Sequence, residues 1–89
     1  MPIVRIPTPL RPHTGGNDTV TAQGATVGAL LAHVGVQYPA LHERIFEGGE
    51  LRRFVNVYVN NEDIRYLEDL ETVVAENDEV SIIPAVAGG

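Results

Sequence analysis

The run Phe54-Val55-Asn56-Val57-Tyr58-Val59 is compatible with one kind of backbone. Its valines recur with a period of two. In an extended strand this places Val55, Val57 and Val59 on one face and Phe54, Asn56 and Tyr58 on the other. Apart from Asn56, every residue is β-branched or aromatic, the types that fit a pleated, half-buried surface. Such a strand cannot hide its valine face alone. The rest of the 89 residues must supply neighbouring strands and a cover.

The cover is legible in Thr26 to Val34. Thr26 is suited to cap a helix, and Val27, Leu30, Leu31 and Val34 follow at i, i+3, i+4 and i+7. Gly35 is expected to end or weaken this helix, and Pro39 bars its simple continuation. Leu41 to Phe46 reads as a short second helical piece, and Gly48-Gly49 breaks the chain. Pro2 to Ile6 predicts a first strand, with Val4 and Ile6 on one side. Pro7 to Asp18, with three prolines and Gly15-Gly16, reads as loop, and Thr19 to Gln23 as a second strand pairing with the first. Asn60-Asn61 is a turn, Ile64 to Tyr66 a short return strand, and Leu67 to Ala75 a stretch with at most a helical turn. Glu79 to Ile83 is the last strand, with Val80 and Ile82 inward, stopped by Pro84. Two hairpins and one main helix across a sheet make a two-layer α+β domain over residues 1–84, followed by a tail, 85–89.

A chain of this length buries only about 60–65% of the surface its unfolded form exposes. It has little room for a catalytic cavity of its own. There is no cysteine, so thiolate metal sites, thiol nucleophiles and disulfides are excluded within these residues. The three histidines have no metal-ligand spacing, the single serine, Ser81, lacks a nucleophile-elbow context, and Gly15-Gly16 is not followed by a phosphate-loop lysine. The formal charge is -6, and all six basic residues are arginine. That balance argues against nucleic acid and for basic protein surfaces. No apolar run approaches a membrane span, and the expected location is the cytoplasm.

The sequence ends Ala87-Gly88-Gly89, directly after the final strand. Glycine adds no side-chain bulk and adopts extended or left-handed backbone with little penalty, so such a tail can thread a narrow cleft in another enzyme. With Asn77-Asp78-Glu79-Val80 and Ile82-Ile83-Pro84-Ala85-Val86 before it, the chain resembles the ubiquitin-like sulfur carriers of the MoaD and ThiS kind. Four further segments are similar to the branch that carries sulfur for cysteine synthesis, the CysO-like proteins. They are Ile6-Pro7-Thr8, Leu10-Arg11-Pro12-His13-Thr14-Gly15-Gly16, Arg53 to Asn60, and Glu62-Asp63-Ile64-Arg65. Ala85, where molybdenum-cofactor carriers often repeat proline, also favours this branch.

The resemblance implies a β-grasp fold, a mixed sheet of four to five strands with one main helix packed across it. It implies that the carboxylate of Gly89, presented by Ala87 and Gly88, is the working group. An E1-like adenylyltransferase with sulfurtransferase function would consume ATP to adenylate Gly89 and convert it to a thiocarboxylate. In the cysteine branch, that sulfur attacks an aminoacrylate on a pyridoxal-phosphate (PLP)-dependent cysteine synthase, and a zinc metalloprotease of the JAMM type releases cysteine. The chain itself would be a macromolecular co-substrate, with no catalytic residue, metal or bound cofactor. Carriers for molybdopterin or thiazole assembly share the same activation chemistry. A ubiquitin-like modifier would instead form isopeptides, and a plain interaction module would leave the tail inert.

Phe54 and Tyr58, alternating with the core valines, are expected on the open sheet face with Ile83, forming a patch on which partners dock; ordinary cross-strand packing is the alternative. Arg53, beside Arg52, is expected to meet an acidic partner surface or to stay solvated. The acidic residues from Glu68 to Glu79 lie near the tail in sequence, either steering a basic partner or forming a solvated face.

Overall fold

The computed structural model describes residues 1–84. Strand β1 (Ile3–Arg5) and strand β2 (Thr19–Thr21) form the first hairpin, with Val4 opposite Val20. Helix α1 (Val27–Gln37) and helix α2 (Pro39–Ile45) follow. A two-residue hairpin, β3 (Phe46–Glu47) and β4 (Glu50–Leu51), precedes β5 (Val55–Val59), β6 (Glu62–Asp63) and β7 (Glu79–Pro84). The main sheet has five strands in the order β2-β1-β7-β5-β6. Strands β1 and β7 run parallel at its centre and the other pairs are antiparallel, so the sheet is mixed.

The helix stripe behaves as its spacing predicts. Val27, Leu30, Leu31 and Val34 are buried against Val4, Val20, Val57, Val59, Val80 and Ile82 of the sheet. Thr26 caps α1, accepting a hydrogen bond from Ala29 N–H at 3.2 Å. Leu41 and Ile45 of α2 close one side of the same core. Gly35 does not end α1, which runs to Gln37. A Cβ at this position would lie 2.5 Å from His42 Cδ2, so glycine lets the α2 ring approach the α1 backbone. His42 in turn stacks on Phe46, centroids 4.5 Å apart.

Three expectations change. The loop from Pro7 holds a seven-residue 3-10 helix, Thr8–Thr14. Proline fixes φ near the value that a 3-10 turn needs, so Pro9 and Pro12 support this tight helix although they would break a longer α-helix. Buried Thr14 donates its hydroxyl proton to Asn17 O at 2.9 Å, and Arg11 Nε–H donates to Ile6 O at 3.1 Å. Gly15 and Gly16, at φ 65° and 85°, make the left-handed exit. Ile64–Tyr66 is a 3-10 turn and not the return strand, which is Glu62–Asp63. The cause is Asp63, whose carboxylate accepts from Arg65 N–H at 2.9 Å and caps the turn. The stretch after Leu67 does hold the helical turn allowed for it, a 3-10 turn at Asp69–Glu71, and adds a bridge from Val73 to Thr26. Strand β7 includes Pro84, one residue beyond the expected end at Ile83. The proline lies opposite Val55 as the last residue of the strand, where its missing N–H breaks no interior ladder.

The outer edge of β2 is met by α1. Gln37 Nε2 donates to Thr21 O at 3.1 Å, and Gln23 N–H donates to His33 Nδ1 at 2.8 Å.

Candidate functional site

Strand β7 is hydrogen-bonded on both sides and delivers the chain to Pro84, the root of the tail. The tail, including the site residues Ala87, Gly88 and Gly89, lies outside the described residues. What the structure describes is the surface around that root. On one side, Val55 pairs with Pro84, and the Arg52-Arg53-Phe54 turn leads into it. On the other side, β1 runs parallel to β7 with Arg5 level with Ser81, so Pro7 and the 3-10 cap that follows lie at the same end of the sheet.

The four docking residues are not arranged alike. Tyr58 and Ile83 do share the outer sheet face. Asn56 is directly opposite Ile83, and Tyr58 is opposite Ser81, one diagonal step from Ile83. Ile83 is 44% exposed, whereas Tyr58 is half-buried. Phe54 is not on the strand. Val55 N–H bonds back to Arg52 O at 3.0 Å, which closes a turn and leaves Phe54 in it, 54% exposed. Arg53 is exposed in the same turn and forms no ion pair among the described residues. Its neighbour Arg52 is committed elsewhere, donating twice to Glu43 O at 3.2 and 3.1 Å.

The sequence reading missed Tyr66, which at 84% is the most exposed large side chain with apolar surface among the described residues. It ends the 3-10 turn that was expected to be a strand. Beside it, Arg65 grips Asp63 through Nε and a terminal nitrogen, the shorter contact being 2.6 Å. The hydrogen bond to Arg65 holds the Asp63 carboxyl below the usual carboxylate range, against its own burial. The Arg65 guanidinium is stabilised in return by its hydrogen bonds to, and charge pairing with, Asp63. The alternation that revealed Tyr58 could not reveal Tyr66, because Asp63 redirects the backbone between them.

Of the acidic stretch, Asp69 lines a groove beside Val55, whereas Asp78 and Glu79 lie away from the tail root. Asp78 and Glu79 stand at the start of β7, and a strand rises about 3.3 Å per residue, so Glu79 is roughly 17 Å from Pro84. Asp78 is occupied with Ala75 N–H and Asn60 Nδ2, both at 2.8 Å, which lowers its pKa, and Glu79 pairs with Arg5 at 2.6 Å. The groove beside Val55, about 630 Å³, is open and lined by Leu51, Val55 and Leu70 with charges of both signs. It contains no nucleophile with an adjacent base. Among the described residues no group of His, Asp and Glu could hold a metal, and no helix is long and apolar enough to cross a membrane.

A five-stranded mixed sheet crossed by one main helix, with the last strand central and leading into the tail, defines the ubiquitin-like β-grasp class. The ThiS family model matches residues 4–89, and the chain belongs to that ubiquitin-like sulfur-carrier family. It is 49% identical to the sulfur carrier protein CysO of Mycobacterium tuberculosis, an alignment covering 97% of this chain and 96% of the relative. A chain in the crystal structure of the Amycolatopsis orientalis BexX/CysO complex is 45% identical, with a TM-score of 0.93 and full coverage of both chains. The solution structure of small archaeal modifier protein 1 from Methanosarcina acetivorans is 34% identical, with a TM-score of 0.88, covering 99% of this chain and 95% of that one.

Proposed function

We propose that this sulfur carrier works through its Gly89 carboxyl group and that its acceptor pathway is cysteine synthesis. The observation that carries the reading is the 49% identity to CysO along nearly the whole of both chains. An E1-like enzyme uses ATP to form the Gly89 acyl-adenylate, and a sulfur donor displaces AMP to leave a thiocarboxylate. Its anionic sulfur is a soft nucleophile. Docking of the folded domain turns its encounter with an aminoacrylate, held on a PLP-dependent synthase, into an intramolecular-like event. A JAMM-type zinc metalloprotease then frees cysteine and restores Gly-Gly. The chain supplies no catalytic group; it supplies the docking surface and the tail.

Intact-mass measurement of the protein from its own cells, isolated gently without reductant, tests this. The expected species carries sulfur in place of one oxygen, or cysteine, at Gly89. Isopeptides between Gly89 and lysines of other proteins, with neither species present, would refute it. That outcome would favour a modifier role, which the 34% identity to the archaeal modifier keeps in view.

The docking surface is the outer face at the tail root, with Phe54 and Ile83 as its apolar anchors. Both are about half exposed, so their removal leaves the core intact. The Phe54→Ala, Ile83→Ala double variant is expected to weaken capture by the adenylating partner about tenfold or more, typical of truncated interface anchors. Unchanged affinity in a calorimetric titration would remove this face from the interface.

A further inference from the structure

From Thr19 to Gln37 the chain carries no Asp, Glu, Lys or Arg, although these types make up 20% of the whole. Strand β2 and helix α1 thus share a single ionisable side chain, His33. On β2 the direction of each main-chain group can be assigned. Ile6 N–H donates to Asp18 O and Ala22 N–H to Pro2 O, so the even-numbered residues bond to β1. Thr19, Thr21 and Gln23 therefore turn their N–H and C=O groups outward, and all three residues are exposed. Of those groups, α1 holds two: the Thr21 C=O through Gln37, and the Gln23 N–H through His33 Nδ1 at 2.8 Å. The second bond needs one state of the ring. Nδ1 accepts through its lone pair, so the imidazole is neutral with its proton on Nε2. A proton added at Nδ1 takes that lone pair, turns the acceptor into a donor and sets two N–H groups against each other. Histidine ordinarily changes charge between about pH 5 and 8.

Other charged groups stand apart from this ring or are already paired. Helix α2 and the Asp69–Glu71 turn meet α1 at Gly35 and Gly28. At ~100° per residue those positions are about 140–160° round the helix from His33. The ionisable groups His42, Glu43, Arg44, Asp69 and Glu71 therefore belong to other sides of α1. Asp18 and Arg5 lie at the far end of β2, Arg5 being level with Thr19, roughly 13 Å from Gln23, and paired with Glu79. Met1 continues the register to the level of Gln23, and its ammonium is met by Glu76 at 3.6 Å.

We propose that the outer side of β2 is a pairing site for a second copy of this chain, opened by protonation of His33. Two copies related by a twofold axis at Thr21 pair their β2 strands antiparallel. Thr21 exchanges N–H and C=O bonds with its counterpart, and Thr19 exchanges them with Gln23 of the other copy. That ladder needs the Thr21 C=O and the Gln23 N–H, the two groups that α1 holds while the ring is neutral. The charge pattern selects a second copy as the occupant. Each copy has a formal charge of -6, and only on this uncharged side can two copies meet without bringing like charges together. A charged peptide finds no counter-charge there. Val36, 78% exposed, adds apolar surface beside the ring, about 60° round α1 from His33.

Sedimentation velocity of the full chain at about pH 7.5 and about pH 5.5, at constant ionic strength, tests this, with amide and histidine NMR spectra of the same samples. Wild type is expected to dimerise about tenfold or more tightly at the lower pH, because each copy then loses a hydrogen bond that competes with pairing. The Gln23 amide resonance is expected to titrate together with the His33 ring. His33→Gln keeps an acceptor at both pH values and is expected to lose the pH dependence and stay monomeric. His33→Ala is expected to dimerise at both. Thr21→Lys sets like charges opposite each other across the twofold axis and is expected to stay monomeric throughout. His13→Gln is expected to behave as wild type. Wild type that stays monomeric at both pH values, dimers that persist in Thr21→Lys, a monomeric His33→Ala, or a Gln23 amide that does not follow the ring would each overturn the proposal. Equal association of wild type and His33→Gln at the lower pH would also overturn it, assigning the effect to protonated carboxylates.

Discussion

Removal of Gly88 and Gly89 is expected to leave a folded domain that can no longer be charged with sulfur. Among the described residues the buried core runs from Val4 to Ile82 and is closed by the sheet and the two helices. Thermal unfolding should therefore be unchanged. On the proposed reading that the Gly89 carboxyl accepts AMP, the chemistry should be lost entirely, because the terminal carboxyl would then belong to Ala87, whose Cβ adds bulk that glycine lacks. Mass spectrometry after incubation with ATP, the adenylating partner and a sulfur source reads the result directly. A truncated chain that still gained sulfur would show that Gly89 is not the working group. One that unfolded would show that the tail is part of the domain.

The second large effect concerns Gly24, in the turn between β2 and α1. A Cβ at this position would fall 2.6 Å from Leu30 Cα and 2.8 Å from the Ala29 carbonyl carbon. These are backbone atoms of α1, and Leu30 is fully buried beneath them. No rotamer change relieves such contacts; the helix must move and drag its apolar stripe out of register with the sheet. Gly24→Ala is expected to destabilise the domain by about 3 kcal/mol or more, at the upper end for overpacking. At ~0.05–0.15 kcal/mol per residue, that is a large share of what a domain of this size possesses. Gly35→Ala is a useful contrast. Its nearest obstacle is the ring of His42, a side chain that can swing, and alanine returns about 1 kcal/mol of helix propensity. Urea unfolding of both variants measures the difference. A loss below about 1 kcal/mol for Gly24→Ala would mean that the α1 backbone yields more easily than its packing implies.

What the sequence disclosed, and what it hid, divides along the range of the interactions. The alternation of Val57 and Val59, the stripe from Val27 to Val34 and the Thr26 cap are local patterns, and the structure keeps each of them. The insertion of β7 between β1 and β5 depends on pairings across most of the chain, such as Val4 with Val80, and no local period encodes it. It came instead from the likeness to a family. Ile64–Tyr66 has strand-like composition but coils because the Asp63 carboxylate offers its backbone a competing partner. Phe54 continues the alternation of β5 on paper, yet the Arg52–Val55 hydrogen bond takes it off the strand. Tyr66 was missed for the reason Tyr58 was found: its environment is set by a cap and not by a period. The Leu10-to-Gly16 segment, which helped mark the branch, proves to be a self-bonded cap at the tail end of the sheet, with Thr14 and Arg11 engaged by backbone carbonyls.

The contacts from His33 and Gln37 to the margin of β2 bear on how this protein behaves when concentrated. An outermost strand with unmet N–H and C=O groups is a template on which other copies can assemble. Here two helix side chains occupy those groups at Thr21 and Gln23. They use hydrogen bonds that a second molecule would otherwise make, and they tie the margin to a helix that cannot itself propagate a ladder. The small polar clasp between α1 and β2 thus guards against aggregation at the side of the domain away from β5.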